Sequence, residues 1–251
     1  MIYCDAHMHL VQCGRFPDFP AGLEYYAVTC AHDRDEFMRQ KEMIALCGEK
    51  MKILPAFGIH PQAPLAQNID FLESLIKGGE ISAIGEAGFD LFTEEFASHI
   101  EEQETVWRAE TEFAARYGLP LVVHCRKAQE RLFRDAKKLK EIPGVIFHSF
   151  AGSPQDARSL LKRGVQAFFS FGKPLLNGKK SAIACVREIP LERLLLETDA
   201  PFQTLKGESS TAPEEISRVY AAASELRGIP EQVLMEKVAE NFSAAYGLGA
   251  E

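Results

Sequence analysis

Residues 119–172 read LPLVVHCRKAQERLFRDAKKLKEIPGVIFHSFAGSPQDARSLLKRGVQAFFSFG, and the order of runs in this stretch decides the fold. Pro120–His124, Gly144–His148 and Val165–Phe171 are short, nearly continuous apolar runs. Such runs fit strands buried on both faces of a parallel sheet better than strands with one wet face. Between them, Lys127–Lys140 and Ser153–Lys162 read as helices. Ser153 suits an N-cap, Pro154 a first helical turn and Gly164 a helix end.

The same alternation extends in both directions. Further strands are expected at Met1–Asp5, Glu24–Cys30, Lys52–Gly58, Ile81–Glu86 and Arg193–Glu197, eight in all. Helices are expected at Asp35–Lys50, Ile69–Lys77, Glu95–Tyr117 and Ser181–Glu188, with two more, Ala212–Leu226 and Glu231–Tyr246, after the last strand. Strand–helix alternation of this kind implies a parallel sheet, either open and doubly wound or closed into a barrel. No G-x-G-x-x-G follows the first strand, which weakens the dinucleotide-binding version of the open sheet. The length of 251 residues is close to the roughly 250 of a TIM barrel. With no repeat, low-complexity tract or linker, residues 1–251 are expected to form one domain. A single (β/α)8 TIM barrel is the form in which the polar residues at the strand ends, and the resemblance they carry, make sense.

Composition narrows the partners. A net charge of −8 argues against tight, non-specific binding to duplex DNA, which asks for a basic face. It leaves room for a small-molecule or single-stranded nucleic-acid substrate, because bound cations can reverse the field locally. None of the six cysteines forms C-x-x-C, so a thiolate zinc site is not expected. The opening residues show no secretory pattern and no run approaches the ~18 apolar residues of a membrane span. The expectation is a reduced, cytoplasmic enzyme whose cysteines serve as small core residues.

Five of the seven histidines, and several carboxylates, fall at the carboxyl ends of expected strands: Asp5, His7, His9, His60, Glu86, Asp90, His124, His148 and Asp199. Barrel closure brings such ends to one face. His7 and His9, two residues apart on extended chain, point to the same side and can grip one cation, although two surface histidines at a loop start would read the same. Glu86, between Gly85 and Gly88, can bridge two cations with its two oxygens; the alternative is a carboxylate capping the next helix. His124 and His148 on neighbouring strands can share a cation with Glu86, whereas a lone histidine after an apolar strand is more often structural. Asp199 can ligate metal and accept a proton from bound water, or can serve as a turn residue ahead of Pro201. His32 and His99 fit no expected strand end and read as plain helical or loop residues. Arg15, Lys173 and Lys206 are weaker candidates for phosphate contact at the mouth.

The set D-A-H-M-H at 5–9, G-I-H-P at 58–61, G-E-A-G-F-D at 85–90, V-H-C-R at 123–126, F-H-S-F-A-G at 147–152, F-F-S-F-G at 168–172 and E-T-D-A-P at 197–201 resembles the TatD family of metal-dependent hydrolases, within the amidohydrolase superfamily of TIM barrels. Asn241 fits that family's closing helix. The resemblance implies that His7, His9 and Asp199 hold one divalent metal ion, that His124 and His148 hold a second, and that Glu86 bridges them. It places His60 and Arg126 on the substrate side. The metals implied are zinc, manganese or magnesium, and the activity is that of a TatD-type deoxyribonuclease or phosphodiesterase with Asp199 and Glu86 at the two-metal-activated water. One departure stands out. Relatives commonly carry an Arg-Asn pair soon after E-T-D-A-P, where this chain reads FQTLKGESSTAPEE with Lys206 as the only cation. An arginine fork grips phosphate bidentately, so its loss leaves open a same-fold hydrolase of a non-nucleic ester or amide, or a non-catalytic metal-binding barrel.

Overall fold

The computed structural model describes residues 1–249; the last two residues of the expected 1–251 domain lie outside the described residues. Eight strands, β1 Ile2–Met8, β2 Glu24–Ala31, β3 Met51–Phe57, β4 Ala83–Asp90, β5 Leu121–Arg126, β6 Val145–Phe147, β7 Ala167–Phe171 and β8 Leu194–Leu196, run in that order around one sheet. Every neighbouring pair is parallel. The ends are tied as well: Asp199 N–H donates to the His7 carbonyl (3.0 Å) and His9 N–H to the Ala200 carbonyl (2.8 Å). These bonds join the segment after β8 to the end of β1, so the sheet is a barrel and not an open, doubly wound sheet.

Buried Asp5 locks the same seam. Its carboxylate accepts from the Tyr25 hydroxyl (2.7 Å), the Thr198 hydroxyl (2.6 Å) and the Thr198 N–H (2.9 Å). It is a clamp between β1, β2 and the segment after β8, and a buried carboxylate is tolerated because those donors satisfy it.

Ten helices are found among the described residues: α1 Leu10–Cys13, α2 Arg34–Ala45, α3 Ile69–Lys77, α4 Glu94–Ser98, α5 Ile100–Tyr117, α6 Gln129–Leu139, α7 Pro154–Lys162, α8 Lys180–Glu188, α9 Ile216–Arg227 and α10 Glu231–Ala245. Ser153 and Asp156 form a reciprocal capping box at the start of α7, with Pro154 in its first turn. The expected helix Glu95–Tyr117 is two helices, broken at His99, because Thr93 caps one start and a second begins at Ile100. Asn241 on α10 donates to the carbonyls of Leu191 (2.7 Å) and Leu194 (2.8 Å), pinning the closing helix to β8.

Local irregularity in β4 sets up the site. Its register with β5 shifts between Ile84 and Ala87. Gly58 and Gly85 let β3 and β4 approach there: a Cβ on Gly58 would sit 2.5 Å from the Gly85 carbonyl carbon. Glycine is required because any side chain would push the backbone that carries Glu86.

Candidate metal centre

Most strand ends deliver one or two donors to a common point. β1 carries His7 and ends just before His9; β4 carries Glu86 and Asp90; β5 carries His124; His148 follows β6 and Asp199 follows β8. Glu86, 2% exposed, stands at the middle. Its Oε1 lies 3.4 Å from His7 Nε2, 3.3 Å from His9 Nε2 and 3.2 Å from His32 Nε2. Its Oε2 lies 2.8 Å from His148 Nε2, 3.2 Å from His124 Nδ1 and 3.6 Å from His60 Nε2. Asp199 Oδ1 lies 3.3 Å from Nε2 of both His7 and His9.

The residues expected at the site from the sequence lie together in the structure. His7, His9, Glu86, His124, His148 and Asp199 share one nest, and His60 and Arg126 line the same cavity of about 540 Å³. The two expected donor sets divide over the oxygens of Glu86, His7 and His9 with Asp199 toward Oε1 and His124 and His148 toward Oε2, and they meet where the rings of His7 and His148 approach to 4.2 Å.

His32 corrects the sequence reading. It was expected to be a plain loop residue, yet it faces Glu86 and lines the cavity. β2 runs one residue further than expected, to Ala31, and His32 is the next residue. A strand end set one position later would have marked it. His99, by contrast, is half exposed on the surface as expected.

The outer nitrogen of each imidazole decides what its inner nitrogen can do. His124 Nε2 meets Asp90 Oδ2 at 3.1 Å, so with the proton there the Nδ1 lone pair faces inward. Asp90 is itself held by the amide of Gln62 (2.8 Å) and the N–H of Phe92 (2.9 Å). This is the carboxylate–histidine arrangement that fixes a metal-binding tautomer. His60 is the opposite case. Its Nδ1 accepts the Gln62 N–H (3.1 Å), so Nε2 carries the proton and points a donor into the cavity. Burial lowers its pKa to about 3, which keeps the ring neutral.

Electrostatics agree with this geometry. Burial alone would raise the Glu86 carboxyl, but the imidazoles of His7, His148 and His60 reverse that and hold it well below the usual range. Burial likewise opposes the charge on Asp199, and hydrogen bonding with His7 and His9 outweighs it. Asp199 Oδ2 accepts the side-chain amide of Gln203 at 2.9 Å.

The weaker phosphate candidates are engaged elsewhere. Both terminal nitrogens of Arg15 hold Glu214 (2.6 and 2.7 Å). Lys173 is fully buried against Glu208 and Glu215, a lost phosphate donor because two carboxylates occupy its ammonium. Lys206 is exposed and lies outside the cavity lining, whose cations are Arg126 and Lys179. Arg126 instead stacks on Phe92, its guanidinium carbon 4.0 Å from the ring centre, and Lys127 approaches the same ring at 4.6 Å. Phe92, beneath that guanidinium, and Phe202, which lines the cavity, are each about half exposed.

Fold and site together define the class: a (β/α)8 barrel with a histidine–carboxylate nest at the carboxyl ends of its strands. The model of the family described as "TatD related DNase" matches residues 4–247, and the chain belongs to that family. It is 30% identical to the uncharacterized metal-dependent hydrolase YjjV of Escherichia coli K12, covering 95% of both chains. It is 29% identical to the 3'-5' ssDNA/RNA exonuclease TatD of Klebsiella pneumoniae, covering 76% of each. The crystal structure of E. coli YjjV superposes with a TM-score of 0.81 at 24% identity over 98% of both chains, a likeness of fold.

Proposed function

We propose that this protein is a divalent-metal-dependent phosphodiesterase that shortens single-stranded nucleic acid from an end. The observation that carries the reading is the convergence of six imidazole nitrogens on the two oxygens of one buried carboxylate, Glu86. His7 Nε2 and His9 Nε2 are 3.1 Å apart, as are His124 Nδ1 and His148 Nε2. Inner nitrogens this close, beside ionised carboxylates, fit cations far better than they fit each other. Buried His9 Nδ1 and His148 Nδ1 have no hydrogen-bond partner, so their protons can reside there and leave the inner lone pairs free.

His7, His9 and Asp199 would hold one cation, His124 and His148 the second, with Glu86 between. Imidazole-rich sets suit zinc or manganese, and the carboxylates also admit magnesium. When bound, the cations supply Lewis-acid activation of water and neutralise phosphate charge. The chain's own groups do the rest. Asp199 accepts the proton released in the attack, with its second oxygen held by Gln203. His60 Nε2–H donates to a phosphate oxygen. Arg126, held over the Phe92 ring at the cavity wall, orients the phosphate, and half-exposed Phe202 offers a face on which an unpaired base stacks. The relative named a 3'-5' ssDNA/RNA exonuclease supports this substrate class.

The whole chain serves as one catalytic domain. No helix among the described residues is long and apolar enough to cross a membrane. All six cysteines are free, which suits the reducing cytoplasm where we place the enzyme.

Nucleotide release from an end-labelled single-stranded oligonucleotide tests the reading. Release is expected to stop on chelation and to return when a single divalent metal is added back. Hydrolysis that survives complete metal removal sinks it. The His60 assignment has its own check: His60→Ala is expected to keep wild-type cation content while kcat/KM falls about 10²–10³-fold, the usual cost of one lost transition-state donor. A loss of cation by elemental analysis would make His60 a ligand instead.

A second reading is favoured by the carboxylates that occupy Arg15 and Lys173 and by the acid-rich segment after Asp199. In it the same centre cleaves a small non-nucleic ester or amide. Turnover of such an ester with no nucleotide release would establish it.

A further inference from the structure

We propose that His32 is a fifth imidazole ligand of the centre, adding a donor to the cation on the Oε1 side of Glu86; this rests on the metal-dependent reading above. Neither the strand-end pattern nor the family motifs point to His32. The geometry does.

His32 Nε2 is 3.2 Å from Glu86 Oε1, and His9, His32 and Glu86 offer donor atoms within 4.8 Å of one another. His32 Nε2 is buried and makes no hydrogen bond. Behind the ring, Nδ1 lies 3.7 Å from Glu36 Oε2. Glu36 is not a loose surface acid. It sits in the first turn of α2, capped by Asp33, accepts the His32 N–H at 2.8 Å, and also holds the Gln12 amide. The arrangement matches Glu197 behind His148 at 3.8 Å, an ion-pair separation in both cases, and is a looser version of the hydrogen bond between His124 and Asp90 at 3.1 Å. A carboxylate behind the outer nitrogen draws the proton there and turns the inner lone pair to the centre. His60, backed by a backbone N–H, has the opposite polarity and is excluded by the same rule.

His32 does not make a third site. His9 Nε2 has one lone pair to give, and Glu86 Oε1 already faces His7, His9 and His32 together. A single cation there gains a donor, so the Oε1 side is richer in imidazole than the Oε2 side. His32 is also the ligand nearest solvent, 21% exposed against 0% for His7.

Metal-stripped protein titrated with Zn²⁺ against a chromophoric chelator, and with Co²⁺ followed by visible absorption, reads this directly. His32→Ala is expected to bind as many cations as wild type, with one step weakened at least tenfold, the Co²⁺ spectrum altered and the deficit relieved by added imidazole. Glu36→Gln, which leaves the ring in place, is expected to weaken the same step about 10–100-fold, the usual cost of losing a partner behind a ligand. Equal melting temperatures of the metal-free forms exclude a folding defect. If wild type binds two cations and His32→Ala binds both with unchanged affinity and spectrum, the His32 assignment is overturned alone. If wild type binds none, the reading beneath it falls.

Discussion

Glu86→Gln protein is expected to purify with clearly fewer divalent cations per chain than wild type, whose content should be about two, and to lose roughly 10³-fold or more in turnover. Glu86 is the one group within 3.6 Å of six imidazoles, three on each oxygen. A carboxylate serves both sides at once. An amide cannot, because whichever way it turns, one arm is an NH2 group with no lone pair to give a cation, and its hydrogens compete with the cation for the imidazole lone pairs. One donor set then loses its shared ligand, and a cation placed there meets the positive end of the amide dipole. Losing a partner merely behind a ligand costs about 10–100-fold in affinity or activity, so losing the shared ligand itself should cost more. At about 1.4 kcal/mol per tenfold, the expected loss is at least about 4 kcal/mol of transition-state stabilisation. Elemental analysis and turnover measured on the same preparation check both halves. Wild-type cation content in Glu86→Gln would remove Glu86 from the centre.

Much of this centre was legible in the sequence because two simple periodicities carry it. Alternation of apolar and amphipathic runs gives a parallel strand–helix fold, the family motifs favour its closed form, and barrel closure gathers strand ends. The two-residue period of extended chain puts His7 and His9 on one side, and they are 3.1 Å apart at Nε2. What the sequence did not disclose depends on contacts between distant segments. Whether an imidazole is a ligand or a donor is fixed by its outer nitrogen, and those partners come from elsewhere: Asp90 for His124, Glu36 on α2 for His32, a backbone N–H for His60. No local pattern marks Glu36 or Glu197 as inward-facing. The fate of Lys173 was equally hidden, since its two carboxylates lie 35 and 42 residues further on. Strand boundaries were the other weak point, and a one-residue difference at the end of β2 was enough to misplace His32.

Asp199→Asn is the sharpest test of the chemistry, because this substitution should spare the fold. Asp199 has φ of 54°, in the left-handed region where a branched or bulky residue is strained. Asparagine is among the few residues that enter that region readily, and it matches aspartate in shape. The backbone bond from Asp199 N–H to the His7 carbonyl does not depend on the side chain, so the barrel seam survives. What changes is charge and proton affinity. If the new amide nitrogen takes the Oδ2 position it meets the Gln203 amide donor-to-donor; if it takes Oδ1 it meets His7 and His9. Neither orientation restores a base. A lost general base costs about 10²–10⁴-fold, and kcat of Asp199→Asn is expected to fall in that range, with KM little changed and an unaltered melting temperature in the metal-free form. Cation affinity should fall less than in Glu86→Gln, because His7, His9 and Glu86 still surround the same point. Retention of kcat within a few-fold, at wild-type cation content, would place the proton acceptor elsewhere in the cavity.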